Sequence, residues 1–73
     1  MSYTQEEKRY MSLIESNLQF FNCNRRKRLI VEYYVADGNR ARVLWGHTTI
    51  ADGLTIHEAH IFCWGFTRGR EGR

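Results

Sequence analysis

Two Thr-x-x-Glu segments fix where helices can begin in this chain. Thr4 precedes Glu7 by three residues, and Thr55 precedes Glu58 by the same spacing. In such a capping box the threonine hydroxyl accepts the glutamate amide, and the glutamate carboxylate accepts the threonine amide. The two boxes predict one helix directly after Thr4 and a second directly after Thr55. With 73 residues in total, the chain has room for one small domain.

The first predicted helix is amphipathic. Its apolar stripe recurs at helical period and consists of Met11, Ile14, Leu18 and Phe21, with Tyr10, Leu13 and Phe20 expected to widen it. The helix is predicted to end near Asn22–Asn24, because asparagine tolerates the left-handed backbone of a C-cap. Four basic residues follow, which we call the basic elbow: Arg25, Arg26, Lys27 and Arg28. Their charge complements the carboxyl end of the helix dipole.

The middle of the chain predicts an antiparallel hairpin. Leu29–Val35 and Arg40–Trp45 are rich in β-branched and aromatic residues, and Asp37-Gly38-Asn39 between them has the composition of a turn. A three-residue turn that pairs Val35 with Ala41 places the apolar residues of both strands on one face. The asparagine of the turn is expected to supply its left-handed residue.

The second predicted helix is apolar on two sides. One side should pack on the sheet and consists of Ile56, Ala59, Phe62, Cys63 and Phe66. The other side carries His57, Ile61 and Trp64 at i, i+4 and i+7. Either the first helix covers this second side, or it is a partner surface with the tryptophan as its anchor. A β-strand over residues 59–66 is the alternative, since a glycine in this segment weakens a helix.

These elements predict an α+β fold, with a helix, an antiparallel hairpin, a possible short third strand at Thr48–Ala51, and a helix. Both helices are expected to pack on one face of the sheet. Residues 1–73 are predicted to form a single domain. Residues 1–3 and 67–73 are expected to be frayed or disordered, because the last seven residues are rich in Gly and Arg.

No residue pattern favours an enzyme. His57 and His60 are one residue too close for a His-Glu-x-x-His zinc motif, and the sequence contains no Cys-x-x-Cys pair. Cys63 is predicted to lie in the core, where a reactive thiolate is disfavoured. We therefore predict no catalytic residue, no metal, no cofactor and no small-molecule substrate.

The sequence also favours a cytoplasmic protein. Met1–Met11 lacks the apolar segment of a signal peptide, and no apolar run approaches the about 20 residues that cross a bilayer. Cys23 and Cys63 are therefore expected to be reduced thiols, and no membrane contact is predicted.

Basic residues are the clearest polar signal. The net charge is only +3, but most basic residues fall in the basic elbow and in the C-terminal segment. We predict that the basic elbow binds an acidic partner, and that the second helix offers a partner surface made of His57, Ile61 and Trp64. The alternative is nucleic-acid binding on a basic sheet face, through Tyr34, Arg40, Arg42, Arg68 and Arg70. A solvated surface, with Glu32 pairing diagonally with Arg42, is the third interpretation.

In size and character the whole chain resembles small phage-encoded regulators that bind host RNA polymerase. The likeness lies in the capped acidic helix, the basic elbow, the hairpin and the Gly/Arg-rich end. It implies a non-enzymatic protein that docks on bacterial RNA polymerase and alters transcription. A second likeness is to the arm-binding domains of phage integrases, in which a three-stranded sheet lies on DNA. That likeness implies that Tyr34, Arg40 and Arg42 face the DNA.

Overall fold

Two helices flank three strands along the chain. In the computed structural model, which describes residues 3–71, the elements are α1 (Gln5–Asn22), β1 (Leu29–Val35), β2 (Asn39–Trp45), β3 (Thr48–Leu54) and α2 (Ile56–Glu71). The strands form one antiparallel sheet in the order β1-β2-β3. Both helices pack against this sheet, so the predicted α+β fold is confirmed.

Both capping boxes are formed. The Glu7 amide donates to the Thr4 hydroxyl at 3.0 Å, and the Thr4 amide donates to the Glu7 carboxylate at 2.9 Å. The corresponding distances between Thr55 and Glu58 are 3.1 and 2.9 Å. Each box satisfies backbone donors that a helix start otherwise leaves unpaired, which explains why both helices begin where the sequence predicts.

The carboxyl end of α1 also agrees with the sequence. The helix ends at Asn22, and Asn24 takes the left-handed conformation with φ 64°. The Asn22 side chain then bridges to β1, because its amide nitrogen donates to the Leu29 carbonyl and its oxygen accepts the Leu29 amide, both at 2.9 Å. This pair of bonds fixes where the basic elbow ends and the sheet begins.

The hairpin register differs from the predicted one by two residues. Val35 pairs with Asn39, and Tyr33 pairs with Ala41, where the sequence predicted that Val35 pairs with Ala41. The turn has three residues, as expected, but they are residues 36–38. A shift by two keeps every side chain on its face, so the apolar face was predicted correctly.

The turn chemistry explains the shift. Asp37 and Gly38 have φ angles of 57° and 105°, and glycine reaches positive φ at little cost. Asn39, which the sequence assigned to the left-handed position, instead starts β2. Its side-chain amide donates to the Glu7 carboxylate at 3.0 Å, which ties the hairpin to the start of α1.

The third strand is longer than predicted. It runs over Thr48–Leu54 instead of ending at Ala51, and its pairing with β2 shifts register on both sides of Val43. Gly53 near its end has φ 71°, and Gly46 in the bend before it has φ 70°. Gly53 falls within the first irregular stretch, between Ala51 and Leu54, where its positive φ allows the strand to depart from strict pairing.

The core lies between the sheet and the helices. Its most buried apolar residues are at most 2% exposed and come from the sheet and from both helices: Ile14, Phe21, Leu29, Ala41, Val43, Ile56, Ala59 and Cys63. The predicted inward side of α2 is thus confirmed. Burial raises the pKa of the Cys63 thiol to about 11, so this thiol is protonated at neutral pH.

The two helices run in the same direction. Tyr10 stacks near the start of α2, with ring centroids 4.6 Å from His57 and 5.4 Å from His60. Further along, Thr67 donates to the Asn17 side chain at 3.1 Å. Both amino ends therefore lie at one end of the molecule and both carboxyl ends at the other.

Two expectations about the periphery are corrected. Thr67–Glu71 continue α2 instead of fraying, because the Thr67 side chain is 1% exposed and bonded to α1. Tyr3 packs against the core, while residues 1, 2, 72 and 73 of the predicted frayed ends lie outside the described residues. Leu13 and Phe20 do not widen the buried stripe, since they are 46% and 76% exposed.

Within the described part of the chain, neither helix combines the length and the apolar character that crossing a membrane requires.

Candidate partner-binding surfaces

The basic elbow divides into a residue that closes α1 and three that do not. The Arg25 Nε donates to the Phe21 carbonyl at 2.8 Å, and its guanidinium lies 3.9 Å from the centroid of the Phe21 ring. This bond satisfies a carbonyl at the helix end and places positive charge at the negative end of the dipole. Arg25 therefore has a structural role at the end of α1. The other three elbow residues do not make this bond to the helix end.

An aromatic cluster joins the elbow to the last turn of α2. The rings of Phe21, Trp45 and Phe66 lie with centroids 5.1 to 6.2 Å apart. Arg70 of α2 lies 3.9 Å from the Phe66 ring and 5.5 Å from the Trp45 ring, and the Lys27 ammonium lies 5.3 Å from Trp45. Basic residues more than forty positions apart in the sequence thus share one cluster of rings.

A groove lies beside Trp45 on the outer side of this cluster. Its volume is about 610 Å³, and we call it the cationic groove; its lining residues are Arg26, Lys27, Arg28, Ile30, Trp45, Gly46, His47 and Thr48. All the ion pairs among the described residues involve Arg42, which lies elsewhere. No described carboxylate therefore neutralises the three elbow cations in this groove.

The basic sheet face is in a different state, because its charges are paired. The Tyr34 hydroxyl donates to Asp52 at 2.6 Å, and Arg42 contacts Glu32 at 3.3 Å and Asp52 at 3.4 Å. Glu32 lies directly opposite Arg42 instead of diagonally. Bonds from Tyr34, Gly53 and Arg42 hold the pKa of Asp52 below its usual range, and the bond to Asp52 raises the pKa of Tyr34.

The residues of the nucleic-acid alternative therefore do not form one surface. Tyr34, Arg40 and Arg42 lie on the sheet face away from the helices, and Arg40 is paired with Tyr34 in the register. Arg68 and Arg70 lie on the last turns of α2, where each stacks on an aromatic ring.

The predicted outward side of α2 is exposed. Ile61 and Trp64 are 56% and 50% exposed, so α1 does not cover them. His57 is exposed too, but its ring is engaged with Tyr10. The Arg68 guanidinium lies 5.0 Å from the Trp64 ring, which places a cation at the edge of this surface.

Two residues of α1 extend this surface. Leu13 and Phe20 lie one turn before and one turn after Asn17, the residue that bonds to Thr67 of α2. The Trp64 carbonyl lies 3.2 Å from the same hydroxyl oxygen, so the single Thr67 proton is shared between the two acceptors. The outward sides of the two helices therefore meet along this contact. We call Leu13, Phe20, Ile61 and Trp64 the helix-pair surface.

The exposure of Phe20 could have been predicted from the sequence. Phe20 directly precedes the buried Phe21, and adjacent residues on a helix point about 100° apart. Both therefore could not face the core. Trp45, His47 and Arg70 carried no such signal, because only the packing of α2 and the bend before β3 brings them to the elbow.

A second groove lies between α1 and the edge strand β1. Its volume is about 740 Å³, and its walls include Met11, Leu18, Val31 and Tyr33. Desolvation by burial raises the pKa of Tyr33 to about 12.

The described side chains do not offer a metal site. Among the side chains that the structure describes, those of residues 3–70, no three His, Cys, Asp or Glu lie close enough together to hold a metal ion. Cys23 is exposed and Cys63 is buried, and the two are not bonded to each other.

Comparison with known proteins adds no relative to this description. No family model matches the chain, and neither the curated proteins nor the solved structures contain a significant match.

Proposed function

We propose that this protein is a non-enzymatic binding protein that docks on a larger protein through its helix-pair surface. The observation that carries the proposal is the exposure of large apolar side chains on the outward sides of both helices. Exposed fractions between 46% and 76% are found for Leu13, Phe20, Ile61 and Trp64. Large apolar side chains that are exposed side by side commonly mark an interaction site. The first partner to test is bacterial RNA polymerase, which the resemblance to small phage regulators implies.

The chemistry of the helix-pair surface suits a protein interface. Tryptophan is enriched among interface hot spots, where truncation costs about 2 kcal/mol or more. Trp64 projects from a rigid helix, and Thr67 and Asn17 fix this helix against α1. An anchor held in place before binding loses less conformational entropy on association.

The border of this surface points to an acidic partner. Arg68 stacks on the edge of the helix-pair surface, and Arg25 and Arg70 lie at the same end of the two helices. Complementary charge at the rim speeds association and makes it sensitive to salt. We therefore expect the partner to present an apolar pocket bordered by Asp and Glu side chains.

Purified bacterial RNA polymerase provides the direct test. Binding of the wild-type chain, Trp64→Ala and Phe20→Ala to the immobilised enzyme is measured by interferometry, with nuclease present to remove bridging nucleic acid. We expect Trp64→Ala to weaken binding about 30-fold, in line with a hot-spot anchor. Val35→Ala is the matched control, because Val35 is 50% exposed but lies on β1.

The outcomes separate the proposal from its alternatives. A Trp64→Ala variant that melts like the wild type and binds as tightly contradicts the helix-pair surface as the contact. A wild-type chain that does not bind the nuclease-treated polymerase contradicts this partner. The alternative function on the sheet face has weaker support, because Tyr34 and Arg42 are already engaged by Asp52.

A further inference from the structure

The cationic groove lies outside the helix-pair surface, so the proposed docking on a protein does not involve its lining residues. Arg26, Lys27 and Arg28 follow one another along its wall, and His47 and Thr48 supply further polar groups from the bend before β3. Arg and Lys side chains carry only donors, and the imidazole N–H of His47 and the Thr48 hydroxyl can each donate one hydrogen more. The wall therefore offers donors at every polar position.

One side of the groove is held in place by a glycine. A Cβ at Gly46 would lie 3.0 Å from Lys27 Cε and 3.2 Å from Lys27 Cγ, so the lysine stem rests directly on the Gly46 backbone. The Gly46 amide also donates to the Arg28 carbonyl at 2.9 Å. The bend before β3 thus contacts the elbow at Lys27 and at Arg28.

The ring of Trp45 is not available to a stacking base. Lys27 and Arg70 lie within 5.5 Å of its centroid, and Phe21 and Phe66 pack around it at 5.9 and 5.1 Å. The ring instead holds two cations in position. A ligand in this groove is therefore recognised by its charge and not by base stacking.

The carboxylates that are bonded within the chain lie at one end of the protein, an end that also carries four basic side chains of α1 and β2. The carboxylates of Glu7, Glu58 and Asp52 are bonded within the chain at the end where both helices begin, at 2.6 to 3.0 Å. The elbow cations lie at the other end. The small net charge therefore hides a strongly positive end, and a local field of one sign attracts anions.

We propose that the cationic groove binds the phosphodiester backbone of a nucleic acid. Consecutive Arg and Lys side chains match a row of phosphates, and the arginine fork suits the oxygens of a phosphate. Uncharged donors such as the Thr48 hydroxyl also commonly contact phosphates. The binding is expected to be independent of sequence, because no group in the groove is placed to read base edges.

The groove and the helix-pair surface can be occupied together. Ile30 lines the groove and is exposed, whereas its neighbour Leu29 is buried under the helices. Successive strand residues point to opposite faces of a sheet, and Trp45 pairs with Leu29, so the groove has walls from both faces at one end of the sheet. None of its lining residues belongs to the helix-pair surface. This inference therefore stands apart from the proposed protein partner, and either can fail alone.

Fluorescence anisotropy with a labelled oligonucleotide of 20 mixed nucleotides, single-stranded and as a duplex, tests the inference. For a duplex the logarithm of affinity is expected to fall with the logarithm of salt concentration with a slope of about −3, one unit for each elbow cation in the groove. The double variant R26Q/K27Q should weaken binding about 60-fold at 0.1 M salt and reduce the slope by about two. The double variant K8Q/R9Q loses the same charge from exposed positions in α1 and is the matched control.

A glycine pair isolates the position of Lys27 without changing any charge. Gly46→Ala forces the lysine stem away, whereas Gly53→Ala meets no neighbouring atom although φ is 70° at one position and 71° at the other. Both variants carry similar backbone strain, so comparable stabilities are expected. Only Gly46→Ala should weaken binding, by up to about eightfold at 0.1 M salt, because one of three phosphate contacts is displaced.

Three results would overturn the inference. The first is an equal loss of affinity in R26Q/K27Q and K8Q/R9Q, which shows a response to net charge alone. The second is equally tight binding of poly-glutamate of similar length, which shows a site for acidic protein. The third is no salt-dependent binding of either oligonucleotide. Trp64→Ala leaves oligonucleotide binding unchanged if the two surfaces are independent.

Discussion

The two ends of this molecule treat charge in opposite ways. Where both helices begin, the carboxylates are bound by the chain: Glu7 by Thr4 and Asn39, Glu58 by Thr55, and Asp52 by Tyr34. Where both helices end, the cations lie on aromatic rings or line a groove, without a described carboxylate partner. The first end uses its carboxylates for folding, and the second leaves the three groove cations without an ionic partner among the described side chains.

The parallel helices explain why the division is so sharp. Parallel helices place two positive dipole ends together and two negative dipole ends together. The carboxylates of Glu7 and Glu58 suit the first pair, and Arg25, Arg68 and Arg70 suit the second. The same charges that make this arrangement favourable therefore give the protein an acidic end and a basic end.

The largest effect is expected from the aromatic support of the basic end. Phe21→Ala removes a ring that is 2% exposed and packs on Trp45 and Phe66, so it should cost about 3–5 kcal/mol of unfolding free energy. Phe20→Ala, one residue away and 76% exposed, should change it by less than about 0.5 kcal/mol. Urea melts followed by circular dichroism measure both. Similar melts for the two variants would contradict the orientation of α1, in which Phe21 faces the core and Phe20 faces solvent.

Local signals made the acidic end predictable. A capping box joins residues three positions apart, so the boxes at Thr4 and Thr55 predicted both helix starts without any knowledge of tertiary structure. Strand faces were predictable for a related reason, because alternation alone assigns them. The hairpin register was not, because a slip of two residues preserves the alternation, and the φ of Gly38 decides between the registers.

The basic end required information that the sequence does not hold locally. The elbow was visible as a run of charge, but its meeting with Arg70 depends on the parallel packing of α2 against α1. The C-terminal segment looked disordered by composition, yet Thr67 is buried against Asn17 and carries the helix onward. Tertiary contacts there outweigh the helix-weakening effect of Gly65 and Gly69.

A smaller loss is expected when either capping box is opened at the acidic end. Thr4→Ala and Thr55→Ala each remove the hydroxyl that accepts a helix amide, which should cost about 1 kcal/mol. Ser16→Ala removes an exposed hydroxyl from the middle of α1 and should be neutral or slightly stabilising. Thermal melts of the three variants give the comparison. Melting curves that overlay that of the wild type would contradict the role of the caps.

Acid is expected to lower the free energy of unfolding through the carboxylates that are bonded at the end where both helices begin. Bonds from Thr4 and Asn39 hold the pKa of Glu7 below its usual range, and bonds from Tyr34, Gly53 and Arg42 do the same for the pKa of Asp52. As pH falls, the unfolded chain takes up these protons before the folded chain does, so this contribution to stability is complete at neutral pH and declines below about pH 5. In urea melts at pH 7, 5 and 3, the free energy of unfolding of E7Q and of D52N should fall less with decreasing pH than that of the wild type. An unchanged decline in both would show that other groups control acid stability.

The smallest effect separates the elbow cation that serves the fold from those that serve a ligand. Arg25→Gln removes the bond to the Phe21 carbonyl and the contact with the Phe21 ring, so it should cost about 0.5–1 kcal/mol. Arg26→Gln removes an exposed side chain that lines the groove, and it should stay within about 0.5 kcal/mol of the wild type. The same two proteins in the oligonucleotide assay should reverse the order, with Arg26→Gln the weaker binder. If Arg25→Gln is both the less stable and the weaker binder, the elbow acts as one unit, and the separation of folding charges from binding charges does not hold within it.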